Sequence, residues 1–280
     1  MSALAIIEFP GGKGYVGPNN ATARIMYASN TFGEILQLPS LYQNISYNTS
    51  FFGPGVACAP ASQSMIMAVG TTMENDLILD PEDEFEYLSF VPGDPYHNNA
   101  SYYNNNASYA NGGIYVPPFR SLDVTSLDSA RIFVLGGGPE PVVADASGLV
   151  ECRLGNYSYN VRFSFVYPLQ SVIVSSYQRI NDVSAWYAAG GVLVDNDTPL
   201  VAEYVSYAAV MDAFGEMLTG VSIHDHYGEN NLYYSLYPLT AVNWTSPDVI
   251  ARDLETMFQN ATISMLTQQQ FRYVTLQRRL

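Results

Sequence analysis

The stretch LVECRLGNYSYNVRFSFVYPLQSVIVSSYQ, residues 149–178, decides the fold. Aromatic and β-branched residues at the odd positions from Tyr157 to Phe165 alternate with polar residues, which is the pattern of a half-buried strand. Tyr167 and Pro168 interrupt this run, and a second β-branched run follows them. Two such runs joined by a turn that contains proline predict an antiparallel hairpin.

The apolar positions of this stretch change parity near Gly155. Val150, Cys152 and Leu154 share even numbering, whereas the apolar residues downstream are odd. A one-residue bulge at Gly155 would account for the change, because glycine adopts the bulge conformation at no steric cost. An unbroken ladder through Gly155 would contradict this prediction.

Composition excludes several classes of function. The chain has 280 residues, 48% of them hydrophobic, and a formal net charge of −15 with only 11 lysines and arginines. Nucleic-acid binding needs clustered basic residues, so it is excluded, and anionic membrane surfaces are disfavoured for the same reason. The glycine-rich segments at 10–14 and 136–139 lack the spacing of phosphate-binding or dinucleotide-binding loops. We therefore expect no cofactor.

Sequons for N-glycosylation are more frequent than chance predicts. The composition would give about three by the Asn-x-Ser/Thr rule. The acceptor residues are Asn20, Asn44, Asn48, Asn99, Asn106, Asn156, Asn196, Asn243 and Asn260. This excess indicates a glycoprotein of the secretory pathway, on the external side of a membrane; accidental sequons in a polar chain are the alternative.

The two cysteines, Cys58 and Cys152, stand apart from any second cysteine or histidine at zinc-site spacing. One disulfide bond in an oxidising compartment is favoured, and two buried free thiols are the alternative. No stretch reaches the roughly 18 apolar residues of a membrane helix, and residues 3–7 are too short for a signal peptide. For a glycoprotein, this predicts that the chain is part of a longer protein.

Periodicity gives a coarse division of the remaining chain. An irregular N-terminal segment is predicted at 1–22, a single β-rich domain at 23–267, a mobile loop at 92–113 and a tail at 268–280. Short strands are predicted at 23–27, 35–38, 113–116 and 130–135, residues 65–70 are ambiguous, and residues 186–194 are expected to form a buried strand or a short turn.

Two helices are predicted near the C-terminus. Ser206 is expected to cap the first, whose apolar stripe extends from Val210 to Val221. Ser246 and Pro247 are expected to open the second. The fold class is therefore predicted as α+β, an antiparallel sheet or sandwich with these two helices packed on it.

A polar cluster between the two helices is the best candidate for chemistry. Its members are His224, Asp225, His226 and Glu229, residue types that bind metals or serve as acid and base. Their spacing matches no defined site, so a polar loop is favoured. The acidic stretch 76–86 likewise lacks the spacing of a calcium-binding loop, and a solvated loop is favoured. No catalytic or metal-binding residue is assigned.

Three motifs together suggest a family. They are FGPGVAC at 52–58, CRLGNYSYNV at 152–161 and LETMFQNATIS at 254–264. In order and spacing, over most of residues 23–267, the chain resembles a family of uncharacterised fungal membrane proteins, whose members look like a large glycosylated ectodomain between transmembrane helices. The resemblance implies that Cys58 pairs with Cys152 and that the domain faces outward. It implies no catalytic residues.

The expected function is therefore that of a non-enzymatic ectodomain at the cell surface or in the secretory pathway. Its partner is expected to be a cell-wall carbohydrate or a protein, and its membrane contact to come only from flanking segments. The first alternative is a secreted acid hydrolase that uses carboxylates from residues 76–86 or 224–229. The second is a carbohydrate-binding module that uses some of the 22 tyrosines.

Overall fold

The computed structural model of the protein describes residues 4–9, 12–37, 44–76, 84–91, 130–136, 146–183, 199–224, 230–233 and 246–266. The strands are β1 Leu4–Phe9, β2 Gly12–Pro18, β3 Ile45–Pro60, β4 Glu84–Phe90, β5 Arg131–Gly136, β6 Val150–Val166, β7 Leu169–Asp182, β8 Gly220–His224 and β9 Asn230–Tyr233. The helices are α1 Asn20–Phe32, α2 Gln63–Asp76, α3 Pro199–Leu218 and α4 Pro247–Met265. The predicted α+β class, with antiparallel strands and two C-terminal helices, is confirmed.

The chain forms two compact units. The first contains residues 1–56, 154–214 and 255–280, and the second contains residues 57–153 and 215–254. Four elements, β3, β6, α3 and α4, therefore contribute residues to both units.

The first unit contains the predicted hairpin. Phe163 on β6 is the register partner of Val172 on β7, and Val166 is the partner of Leu169, so the strands turn at Tyr167 and Pro168. β6 also pairs with β3. The odd-numbered residues of β6 point into the core of this unit. Its buried members are Phe51, Tyr157, Tyr159, Val161, Phe163, Phe165 and Ile263.

The β6–β7 ladder is interrupted just beyond Gly155, but the extra residue lies in the other strand. The register shifts between Asn156 and Tyr157 and leaves Ile180 of β7 without an opposite residue. A second shift of the register, between Asn160 and Val161, leaves Ser175 of β7 without an opposite residue. In this ladder the extra residue was therefore predicted in the wrong strand, because the apolar pattern of one strand carries no information about an insertion in its partner. The change of parity in β6 itself is observed, since Leu154 and Gly155 are both buried.

The second unit orders its strands as β6, β5, β4, β8 and β9. β5 confirms the strand predicted at 130–135. Phe90 and Phe133 are register partners on β4 and β5, and their rings stack with centroids 5.2 Å apart. The hydroxyl of Tyr87 donates to the carbonyl of Leu218 at 2.5 Å, which joins β4 to the end of α3.

The prediction that residues 1–22 are irregular was wrong. β1 and β2 pair antiparallel, with Phe9 opposite Gly12, and α1 begins at Asn20. The glycine-rich sequence of β2 has little intrinsic strand preference, so its pairing with β1 rather than its own composition makes it a strand.

The strand predicted at 23–27 is also wrong, because these residues belong to α1. The side chain of Asn19 accepts from the Thr22 amide at 2.8 Å and caps the helix, and Gly33 ends it in the left-handed conformation. Residues 35–37, predicted as part of a second strand, have no regular structure. A stretch of only five residues fits either period, so tertiary packing decides between strand and helix.

The remaining helices match the sequence in part. The ambiguous residues 65–70 lie in α2, which Ser62 caps by accepting from the Met65 amide at 3.3 Å. α3 begins at Pro199 rather than after Ser206, since proline is favoured in the first helical turn.

At its other end α3 stops at Leu218, and Val221 lies in β8. α4 begins at Pro247 after Ser246, as predicted, and the Ser246 hydroxyl accepts from the Val249 amide at 3.4 Å. Several structural predictions fall outside the described residues. They concern the loop 92–113, the strand 113–116, the segment 186–194 and the tail 268–280.

Candidate functional site

The two cysteines form a disulfide bond. Cys58 on β3 and Cys152 on β6 are 94 residues apart in sequence, and their Cα atoms lie 4.0 Å apart. The bond therefore joins the two longest strands in the described part of the chain, which are neighbours in the sheet, and the alternative of free thiols is wrong. A structural disulfide is typical of proteins that mature in an oxidising compartment.

Five of the nine predicted glycan acceptors lie in the described part of the chain. Asn20, Asn44 and Asn48 are exposed, and Asn156 and Asn260 are half-buried. None of these five is buried. The other four, Asn99, Asn106, Asn196 and Asn243, lie outside the described residues.

A polar face covers the solvent side of β3, β6 and β7. We call it the outer face and define it by Ser46, Ser50, Asn160, Arg162 and Ser176. Ser50 donates to the side-chain oxygen of Asn160 at 2.5 Å, and the Asn160 amide donates to Ser176 at 2.5 Å. Arg162 donates to Ser46 at 3.2 Å. The acceptor asparagine at position 48 shares this face, because side chains two apart in a strand point the same way.

The opposite face of β6 and β7 carries a cluster of tyrosines at 157, 159 and 177, which we call the tyrosine cluster. The rings of Tyr157 and Tyr177 stack at 4.3 Å, and those of Tyr159 and Tyr177 meet at 5.0 Å. The Tyr159 hydroxyl donates to the Pro54 carbonyl at 2.6 Å, and the Tyr177 hydroxyl donates to the Val56 carbonyl at 3.3 Å. The cluster thus binds β3 to the hairpin.

Burial raises the pKa of all three phenols in the tyrosine cluster above the ordinary value. Loss of hydration is the largest cause in each case, since it penalises the charged form. For Tyr177 the neighbouring Tyr159 adds to the effect. These groups are therefore neutral hydrogen-bond donors, which is a structural role rather than an acid–base role.

We expect the protein to lose stability in alkali because of this cluster. Above about pH 10 an unfolded tyrosine releases its proton while the buried one keeps it, so rising pH favours the unfolded state. The free energy of unfolding should fall by up to about 1.4 kcal/mol per pH unit for each such group. Urea unfolding between about pH 8 and about pH 11 measures this slope. The slope should be smaller in Tyr159→Phe, because this change removes one of the buried phenols.

The three family-like motifs meet at one backbone carbonyl. Pro54 belongs to the first motif, and its oxygen accepts from Tyr159 of the second and, at 3.1 Å, from Thr262 of the third. Residues distant in sequence are therefore brought to a single buried point. What they form there is a junction that stabilises the fold.

Polar residues of the third motif also have structural partners. The Asn260 amide donates to the Gly33 carbonyl at 3.3 Å, and the Ser264 hydroxyl accepts from the Leu36 amide at 2.9 Å. Both contacts attach the end of α1 to α4. In the sequon at Asn260, the asparagine and the threonine therefore both have structural roles, because each side chain donates a hydrogen bond to a backbone carbonyl.

Gly55 allows the closest approach in the tyrosine cluster. A Cβ atom there would overlap the Tyr177 hydroxyl and would lie 2.5 Å from a ring carbon of Tyr157. We expect Gly55→Ala to cost about 1–3 kcal/mol of stability, because the rings must leave their positions. Thermal unfolding measures the loss. Gly33→Ala is a poor control because of its positive φ; Gly148→Ala is the better one, since its nearest neighbour would be an ordinary contact at 3.4 Å.

A partly buried ion-pair network was not predicted from the sequence. Glu151 lies between Arg131 at 2.9 Å and Arg153 at 3.0 Å, and its side chain is 11% exposed. Arg131 and Arg153 are register partners on β5 and β6, so the carboxylate offsets the repulsion of two cations. The signal in the sequence was the single glutamate among the first residues of β6. Hydrophobic periodicity alone does not show which groups such a charge pairs with.

The predicted polar cluster can be placed only in part. His224 ends β8 and is the register partner of Glu84, which begins β4 at the end of the acidic stretch, and of Asn230 on β9. Asp225, His226 and Glu229 lie outside the described residues. Among the residues that the structure does describe, no group of histidine, cysteine and carboxylate side chains is arranged to hold a metal ion.

No helix in the described ranges is both long and apolar enough to cross a membrane. Comparisons with protein-family models, curated proteins and solved structures found no match to the chain.

Proposed function

We propose that the protein is a non-enzymatic, N-glycosylated ectodomain that works outside the cell or in the lumen of the secretory pathway, as part of a fungal membrane protein. One observation carries the proposal: all five acceptor asparagines in the described part of the chain reach solvent. Sugar can be attached at such positions without disturbing the core. The disulfide between Cys58 and Cys152 agrees with the same compartment.

The structural roles of the motif residues support a role without catalysis. In enzymes, motif residues usually converge on a cleft and carry perturbed acid–base chemistry. Here Pro54, Tyr159, Thr262 and Ser264 are buried and hydrogen-bonded to one another or to backbone carbonyl and amide groups. They support a scaffold that presents a surface to a partner, for which a cell-wall carbohydrate or a protein is the proposed class.

Secretion from a eukaryotic host tests the proposal. We expect the protein in the medium to lose mass on treatment with an N-glycosidase, and peptide mapping to find sugar at Asn20, Asn44 and Asn48. Mapping without reductant should recover Cys58 and Cys152 in one linked peptide pair. The same chain with a glutamine at each sequon is the control. A secreted, folded protein that carries no sugar at any sequon would overturn the proposal.

An acid hydrolase is the second candidate function, because one pair of register partners on β4 and β8 supports it. The pairing of Glu84 with His224 brings the end of the acidic stretch and the start of the polar cluster to the same end of the β4–β8 ladder. Hydrolysis by paired carboxylates needs them at separations of about 5–10 Å. A panel of glycoside and ester substrates at about pH 4–5, near the pKa range of carboxyl groups, tests this candidate. Turnover that Glu84→Gln abolishes would favour the hydrolase over the ectodomain.

A further inference from the structure

β3 is an edge strand with unusual chemistry. The strand order of the sheet, as far as the structure describes it, ends at β3 on one side. All 16 residues of this strand, ISYNTSFFGPGVACAP, are uncharged. Natural edge strands generally carry charges, bulges or prolines, because an unpaired strand edge is a template for another chain. In β3 the prolines come late, at positions 54 and 60.

The first half of β3 is the exposed part. Five of its first six residues are exposed, and Thr49 is half-buried. Three of its large apolar side chains reach solvent as well: Ile45 is 37% exposed, Tyr47 44% and Phe52 46%, whereas Phe51 is buried. The run ISYNTSFF combines high strand preference, no charge, no proline and no glycine. These are the properties of segments that add to other strands.

The hairpin strand β7 shows how the same chain protects another long strand. β7 carries two extra residues, Ser175 and Ile180, which disrupt a regular ladder. It also carries an ion pair between Arg179 and Asp182. The first half of β3 has no charged residue that could form such a pair. It has instead two sequons, at Asn44 immediately before the strand and at Asn48 within it.

We propose that N-linked glycans on Asn44 and Asn48 shield the exposed edge of β3 against strand addition by a second copy of this chain. Asn48 projects from the outer face between Ser46 and Ser50, and Asn44 is exposed with a φ of 58°. A second strand must approach to about 4.8 Å, and a branched oligosaccharide beside the edge is too wide to allow it. The inference rests on the proposed glycosylation of the domain.

A second copy is the partner that the charges favour. The exposed run of β3 is uncharged, so two copies can align antiparallel along it without opposing like charges. Elsewhere the chain's net charge of −15 keeps copies apart. Contact between copies is therefore favoured at this strand and disfavoured over the acidic remainder of the surface.

Three secreted variants and one enzymatic treatment of the wild type test the inference. Asn44→Gly with Asn48→Gln removes both sugars, and glycine suits the positive φ at position 44. Asn44→Gly with Asn48→Lys removes both sugars but restores a charge to the edge. Asn20→Gln is the matched control, since it removes one exposed sequon on α1. Wild type treated after folding with an endoglycosidase, which trims each glycan to a single sugar and adds no charge to the asparagine, separates shielding from any effect of sugar on folding.

Light scattering after size exclusion measures the outcome. We expect roughly tenfold more dimer and larger species for the glutamine variant and the deglycosylated protein than for wild type, whereas the lysine and Asn20→Gln variants stay monomeric. Equal assembly of the lysine and glutamine variants, or a monomeric glutamine variant, would overturn the inference. Peptide mapping that finds no sugar on Asn44 and Asn48 would also overturn the inference. Sugar at other sequons would in that case still support the proposed function.

Discussion

Replacing Cys58 and Cys152 together with alanine is expected to lower the free energy of unfolding by about 4–5 kcal/mol. The reason is the long loop of 94 residues that the bond closes, because chain entropy in the unfolded state rises with the logarithm of loop length. The loss is a large fraction of the roughly 5–15 kcal/mol that stabilises a typical domain. When the variant is expressed for secretion from a eukaryotic host, we therefore expect it to be retained or degraded rather than secreted.

Chemical denaturation of wild type with and without reductant measures this loss in one protein. The double alanine variant should match the reduced wild type, since both lack the cross-link. A control with Cys58→Ala alone leaves one thiol and should behave like the double variant in the presence of reductant. A reduced protein that unfolds within about 1 kcal/mol of the oxidised one would contradict a structural role for the bond.

Combining Tyr159→Phe with Thr262→Val should produce the second large effect, about 3 kcal/mol. Each single change removes one hydrogen bond to the Pro54 carbonyl and should cost about 1 kcal/mol. The pair removes both side-chain donors from a buried oxygen, so the penalty should exceed the sum of the single losses by about 1 kcal/mol. A double-mutant cycle from urea unfolding measures the excess.

Two controls separate this junction from glycosylation. Thr262→Val also destroys the sequon at Asn260, whereas Thr262→Ser keeps both the sequon and a hydroxyl donor. Thr262→Ser should therefore retain most of the stability, and Asn260→Gln should leave the coupling between Tyr159 and Thr262 intact. Additive single losses would show that the two hydroxyls do not share one acceptor.

Much of the fold could be predicted where local pattern and tertiary environment agree. The hairpin of β6 and β7 followed from strict alternation and a proline turn, and α4 from Ser246, Pro247 and an apolar stripe. Prediction failed where a short run fits two periods. Residues 23–27 were assigned to a strand, yet Ile25 and Met26 are buried within α1 between an Asn19 cap and a Gly33 end.

The residues of the candidate site likewise divide into those that could be predicted from the sequence and those that could not. Sequons and cysteines are written in the sequence as short rules, so their positions could be stated in advance. The partners of Tyr159 and Thr262 could not, because they meet at a carbonyl more than 100 residues away from either side chain, and no local pattern encodes such a contact.

The amino-acid sequence alone predicted the long hairpin from its alternation, the start of α4 from its serine and proline, and two cysteines that could form one disulfide bond. Only the tertiary structure decided which strand takes an extra residue, which strand forms the edge of the sheet, and which carbonyl the buried hydroxyls share. The reason is physical. Local rules act over a few residues, whereas register, edges and buried hydrogen bonds depend on chain segments that meet only after folding.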